Sequence, residues 1–233
     1  MKENAVPCWH FTCPEEGGYS NDPRDSGNYY TDPNGVRHLV GSNHGITADD
    51  LVKFGYPEPI TVEMMKALTE DDSEPIFQGG YWQSARCDDL PPGADVKIAD
   101  FGFNAGIGTS AKLLQTAVGL TGRDVDGWIG DQTLQAVRAA DPFRLAAQVS
   151  GVPAQRLQRV IGVPQDGAVG PATLRALTGW NGDRVALALT CLLAQLQDRR
   201  YRALAQWPIY GAGWEGRVWR CLDLAISLIT HGA

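Results

Sequence analysis

A mainly α-helical protein with one small β-hairpin near its N-terminal end is what this sequence predicts. Three observations carry the expectation. Apolar residues recur at helical spacing from Thr47 to the end of the chain. The first 45 residues are rich in Gly, Asp, Asn, Pro and Tyr, and Asp32-Pro33-Asn34-Gly35 separates two short strand-like stretches. A pattern of helix, Asp-Gly turn and helix occurs twice between residues 109 and 177.

The hairpin comes first. Tyr29-Tyr30 and the stretch from Val36 to Val40 suit paired strands, with Asp-Pro-Asn-Gly as the turn between them. Ahead of it, Pro14 stands two residues before Glu16. That permits a very short helix there, or one whose first turn holds Pro14. Thr47-Ala48-Asp49-Asp50 reads as an N-cap with an acidic first turn, followed by Leu51 and Phe54 on one face. Thr61 caps a second helix bearing Val62, Met65 and Leu68, and a third runs from about Ser73 to Ser84. Pro91-Pro92 breaks the chain. Val96 to Asn104 is apolar enough for a buried central helix, ended by Gly106.

The repeat follows. Leu114-Gln115 and Asp126-Gly127 with Thr133 find counterparts in Leu157-Gln158 and Asp166-Gly167 with Thr173. Pro171 suits a first helical position. Helical spacing returns from Asp183 to Leu204 and from Trp214 to Ile229. Residues 207–213, with Pro208, Gly211 and Gly213, read as a loop between them.

Length and charge narrow the function. The 233 residues suffice for one good-sized core or two small modules. The net charge of −7 argues against a nucleic-acid partner. Up to Asp100 there are 7 basic and 18 acidic residues, net −11; from Phe101 onward there are 13 and 9, net +4. A basic second half favours an anionic polymer such as the bacterial wall, or is a set of arginines decorating solvated helix faces. No apolar run of about 18 residues could span a bilayer, and the N-terminal residues lack the apolar core of a secretory signal. Synthesis in the cytoplasm is expected, and an enzyme of the wall would then need a holin, a dedicated secretion route or lysis to reach the periplasm or the outside. A monomer is expected. The five cysteines are odd in number and match no zinc spacing, so free, buried thiols are expected, with a Cys8–Cys13 disulfide as the alternative. No cofactor and no metal are expected; the Asp-rich loops lack the spacing of a calcium loop.

Glycosidic cleavage needs a protonated carboxylic acid at the leaving oxygen and a second group to meet the positive charge or hold the water. Glu16 suits the first role. It stands between an apolar stretch with Trp9 and Phe11 and the Gly17-Gly18 turn, where backbone can approach a sugar. By itself, a glutamate before two glycines reads more readily as a solvated loop residue.

The surrounding string decides between them. Glu16-Gly17-Gly18-Tyr19-Ser20-Asn21-Asp22-Pro23-Arg24-Asp25-Ser26-Gly27, with His44-Gly45-Ile46-Thr47 later, resembles the signature of glycoside hydrolase family 108, the N-acetylmuramidases of phage endolysins and bacterial lytic systems. Tyr81-Trp82, Asp89-Leu90-Pro91 and the run from Asp100 to Gly106 look like its later helices. The repeat looks like the peptidoglycan-binding segment that accompanies it.

The resemblance implies a lysozyme-like, mainly α fold. Its catalytic region would cover residues 1–106, and a helical peptidoglycan-binding region would cover 107–233 with the repeat at 109–137 and 152–177. It implies Glu16 as general acid. Asp25, nine residues on, is the candidate second carboxylate, with Asp22 as the alternative. Ser42 falls where the family places a threonine, and residues 28–40 look like an insertion. Tyr19 and Tyr30 are expected to face substrate and Trp82 to lie in the core. Asp22, His44 and Thr47 complete the substrate-binding candidates, although Thr47 also reads as a helix cap. The implied activity is cleavage of the β-1,4 bond between N-acetylmuramic acid and N-acetylglucosamine. A non-catalytic wall-binding module is the alternative. An amidase or peptidase fits less well, because His10, His38, His44 and His231 form no convincing ligand set with the cysteines.

Overall fold

Ala5, Cys8, Trp9, Thr12 and Cys13 are buried, and their spacing of three and four lays them along one stripe of a helix. In this computed structural model, which describes residues 2–231, that stripe belongs to helix α1, Ala5–Glu16. The outermost residues of the two expected regions, 1, 232 and 233, lie outside the described residues. Pro14 sits within the last turn of α1 and not its first, and the helix runs two residues beyond it. Both expectations for Pro14 are therefore corrected: burial of the whole stripe outweighs one missing hydrogen bond near a helix end.

The chain divides into two compact units, Ala5–Ser84 and a second made of Met1–Asn4 with Ala85–Ala233. In the first unit, β1 (Tyr29–Thr31) and β2 (Arg37–Leu39) form the antiparallel hairpin, with Tyr30 opposite His38. Asp32 shapes the turn by accepting from the main-chain N–H of Asn34 and Val36 at 2.9 and 2.8 Å. Three short helices follow: α2 (Ala48–Lys53), α3 (Val62–Ala67) and α4 (Glu70–Phe77). Each begins at a capping threonine, Thr47, Thr61 and Thr69, and the first and last have complete capping boxes with Asp50 and Asp72. The chain then winds a wide turn over Gln78–Gln83. Trp9 joins α1 to α4: its indole N–H donates to the Glu70 carbonyl at 3.2 Å, and its ring lies 5.2 Å from that of Phe77. Trp82 is buried, as its sequence setting suggests.

In the second unit, α5 (Ala94–Ala105) is buried at every residue from Ala94 to Gly102. It packs with α6 (Ile107–Ala117), α11 (Arg184–Arg202) and α12 (Trp207–His231). The central helix therefore belongs with the elements that follow it, so the packing boundary after Ser84 does not coincide with the expected one at 106. Between α6 and α11 lie α7 (Asp131–Arg138), α8 (Pro142–Ala146), α9 (Gly151–Val160) and α10 (Pro171–Gly179). Asp100 on α5 and Arg217 on α12 form a buried ion pair at 2.8 Å. Residues 207–213, expected as a loop, are the first turns of α12. Pro208 occupies the first turn, where its missing N–H costs nothing. Gly211 is small because the Trp207 ring lies against it: a Cβ there would come within 2.6 Å of the indole.

The repeat is a structural repeat down to its hydrogen bonds. The Gln115 amide donates to Asp126 at 2.7 Å, to the Trp128 carbonyl at 3.0 Å and to the Thr133 hydroxyl at 3.1 Å, and its oxygen accepts from Gly127 N–H at 3.0 Å. Gln158 makes the same four bonds to Asp166, Ala168, Thr173 and Gly167, at 2.6, 3.0, 3.3 and 3.0 Å. Gly127 and Gly167 both hold positive φ. Their backbones pass so close to Gly108 and Gly151 that a Cβ would meet those carbonyls at 3.0 and 3.3 Å. No disulfide joins any of the five cysteines, all of which are buried, so Cys8 and Cys13 form no bridge. No described helix is long and apolar enough to cross a membrane.

Candidate active site

Glu16 extends the buried stripe of α1 by one more step and ends the helix, half-buried. Beyond it the chain turns at Gly17, with φ +74, and a Cβ on Gly17 or Gly18 would meet nothing within 4 Å. The acid thus stands where a packed helix opens onto free space.

One short segment, residues 42–47, touches the chain on both sides of Glu16 and then reaches Asp25. Ser42 pairs with Ser20, four residues after Glu16, through two main-chain bonds of 2.8 Å. Asn43 and Ile46 exchange main-chain bonds across a two-residue turn, with His44 at φ +52 and Gly45 at φ +74. That is the left-handed pair such a turn demands, and it is costly for a histidine. Asn43 fixes the turn: it is 5% exposed, and its amide donates to the carbonyls of Met65 and Leu68 at 2.9 and 3.1 Å. So held, the His44 ring places Nδ1 3.4 Å from the Sγ of Cys13, three residues before Glu16.

Thr47 ends the segment as the cap of α2, its hydroxyl donating to Asp50 at 2.7 Å. Its methyl group lies beside Gly27, where a Cβ would be 3.6 Å from Thr47 and 3.3 Å from the Asp25 carboxylate. The Asp25 side chain accepts from Gly27 N–H at 2.9 Å, capping the turn Ser26–Asn28, and the residue is exposed. One oxygen of Asp25 is used in this way; the other has no hydrogen bond among the described residues.

The surroundings of Glu16 are acidic. The Cys13 thiol is pushed up to about 12, by burial first and then by the charges of Glu70 and Glu16. The Tyr81 hydroxyl is also pushed up to about 12, by burial and by Asp50 and Glu16. Both stay protonated at neutral pH. Among the described residues no group of histidines, cysteines and carboxylates could hold a metal.

The other expected contacts fare differently. Tyr30 is 2% exposed and its hydroxyl bonds the Glu58 carboxylate. It packs the hairpin and offers no face to a sugar, which corrects that expectation. Tyr19 donates to the Val40 carbonyl at 3.0 Å, and its ring lies against Gly41, with the Lys66 ammonium 5.3 Å from the ring centre. Asp22 is bound to Arg24 at 2.6 Å, and that hydrogen bond first of all lowers its pKa to about 2. Its place in the turn makes it a partner of Arg24 more than of a substrate. Cys13, whose thiol feels the charge of Glu16, Asn43, which fixes the turn at His44, and Asp50, which acts with Glu16 on Tyr81, are absent from the sequence-based set. Asn43, next to a His-Gly pair, carries a turn signal, but its long-range anchors do not.

Residues 9–106 match the family model described as Glycosyl hydrolase 108. No curated relative matches the chain. Among solved structures the chain is similar to that reported as "Structure of Brucella abortus SagA", with 24% identity over 97% of this chain and 96% of that one, and a TM-score of 0.51. At that identity the likeness is one of fold. It covers both units and agrees with a lysozyme-like, mainly α architecture bearing one small hairpin.

Proposed function

Residues 9–106 of this chain match the glycosyl hydrolase 108 family model, and from that premise we propose that the protein is an N-acetylmuramidase of bacterial peptidoglycan. A glycoside hydrolase needs an acid that meets the glycosidic oxygen and a second group on the sugar. Glu16 is the acid of this proposal. The observation that carries it is the placement of segment 42–47, which ties down the chain on both sides of Glu16 and ends beside Asp25. Such fixing of a helix-borne carboxylate at the edge of open space is what transition-state positioning requires.

In the proposed reaction Glu16 gives its proton to the bridging oxygen as the bond to the muramic acid carbon breaks. Asp25 offers its unbonded oxygen to the developing cation or to the attacking water, with the Ser42 hydroxyl as the group that orients that water. Water supplies hydroxyl to the new reducing end, and its remaining proton restores the acid. The repeat in the second unit is proposed to bind the wall. On its first Asp-Gly turn Trp128 is 65% exposed, an aromatic face of the kind that stacks on sugar rings. Digestion of purified peptidoglycan with mass-spectrometric identification of the new ends tests the assignment. Muramic acid reducing ends are expected; glucosamine ends or released peptide stems would replace it with a different wall chemistry.

A further inference from the structure

The hairpin has a free edge. In an antiparallel pair, successive residues turn their main-chain N–H and C=O groups alternately toward the partner strand and away from it. The bonds from Asp32 N–H to the Val36 carbonyl (2.9 Å) and from Val40 N–H to the Asn28 carbonyl (3.0 Å) set the phase. Tyr30 and His38 are therefore the bonded pair, and Arg37 and Leu39 turn their main-chain groups outward. The sheet has two strands, and among the described residues no third strand takes them up. A groove of about 530 Å3 runs there instead, between residues 37–40 and residues 59–62.

Both walls are fixed. The Tyr30 hydroxyl ties β1 to Glu58, at the head of the far wall. Thr61 within that wall accepts from Met64 N–H at 3.2 Å and so starts α3. On the near wall the Arg37 guanidinium stacks 3.6 Å above the Tyr29 ring and has no carboxylate partner among the described residues. The strand continues past Leu39 through Val40 and Gly41 to Ser42, which pairs with Ser20 beside Glu16. Groove and acid thus lie along one stretch of backbone.

We propose that this groove binds the peptide stem carried by the lactyl group of muramic acid, adding it as an extended segment to the free edge of β2. The choice of peptide rests on the muramidase reading above. Two outward N–H groups and two outward carbonyls in alternation are what an extended peptide matches by strand addition. Native sheets usually blunt or cover such an edge; here an open groove follows it. The unpaired Arg37 guanidinium complements the free carboxylates of a wall peptide.

The test uses the full chain carrying Glu16→Gln, titrated with a muramyl tetrapeptide and, separately, with an N-acetylglucosamine oligomer, and followed by amide NMR. The Arg37 and Leu39 amides are expected to shift with the tetrapeptide and not with the oligomer. Leu39→Pro removes one outward N–H and leaves the β1–β2 bonds in place; it is expected to weaken tetrapeptide binding by about tenfold. Arg37→Ala, which leaves the backbone untouched, is expected to do so by about fivefold or more. Edge amides unmoved at millimolar tetrapeptide would overturn the proposal. So would unchanged affinity in Arg37→Ala, or a concentration-dependent dimer through this edge without a peptide response. Shifted edge amides in a protein whose unmutated form cuts no wall glycan would leave the groove standing and remove the muramidase reading.

Discussion

Replacing Gly41 by alanine tests how the loop after Glu16 is held. Gly41 has φ +86, and a Cβ there would lie 2.5 Å from the Ser20 carbonyl oxygen and 2.6 Å from the Tyr19 ring. Positive φ alone costs an alanine about 1 kcal/mol. The clash adds about 1–3 kcal/mol, because a main-chain carbonyl engaged in the Ser20–Ser42 pair cannot swing away. Gly17 supplies the control: its φ is +74, and a Cβ would meet nothing within 4 Å. Gly17→Ala is therefore expected to cost about 1 kcal/mol and Gly41→Ala about 2–4 kcal/mol. In urea unfolding, at a slope of about 2 kcal/mol per molar, the midpoint of Gly41→Ala falls below that of Gly17→Ala by roughly 0.5–1.5 M. Wall hydrolysis falls as well in Gly41→Ala, since the pairing beside Glu16 is forced apart. Midpoints equal within error would mean that the loop gives way freely and is not held against residues 19 and 20.

The repeat gives two further predictions. Gln115→Ala and Gln158→Ala each delete the same four bonds at a buried residue; each is expected to cost about 2–4 kcal/mol, and urea unfolding should find the two costs within about 1 kcal/mol of each other. Asp126 and Asp166 have lowered pKa values, chiefly through the amides of Gln115 and Gln158. Because the folded value lies below the unfolded one of about 4, the stability they confer is present above that pH and is lost as pH falls through the folded values. Unfolding measured between pH 2 and 6 should show this loss, and Asp126→Asn with Asp166→Asn should flatten it. Burial pushes the thiols of Cys13, Cys191 and Cys221 up to about 12, and all five cysteines are buried. Iodoacetamide at pH 8 should label none of them in the folded chain and all five in urea, as read by mass spectrometry.

Where the signal is local, the sequence is a good guide to this fold. The threonine caps at 47 and 61, the Asp-Pro-Asn-Gly hairpin turn and Pro171 at a helix start each satisfy their own backbone within four residues, so they read directly. The repeat is legible because two copies of one hydrogen-bond knot must keep the same glutamine, aspartate, glycine and threonine. Helix α1 is hidden by Pro14, although its stripe at 5, 8, 9, 12 and 13 is present in the sequence. The start of α12 is hidden by two glycines, one of which makes room for Trp207. The site is less legible because it is made by distant partners. His44 meets Cys13 across 31 positions and Asn43 meets Leu68 across 25, and no spacing rule announces either contact. Tyr30 shows the opposite error: an aromatic near a motif suggests a sugar platform, yet packing against Glu58 takes it inside.

The proposed hydrolysis turns on Glu16, and Glu16→Gln tests it most directly. The substitution keeps the size of the side chain and removes its acid. Hydrolysis of purified peptidoglycan is predicted to fall by at least about a hundredfold, as loss of a general acid requires, while sedimentation with insoluble wall shows binding unchanged. Hydrolysis that persists near the original rate would place the acid elsewhere and contradict the account.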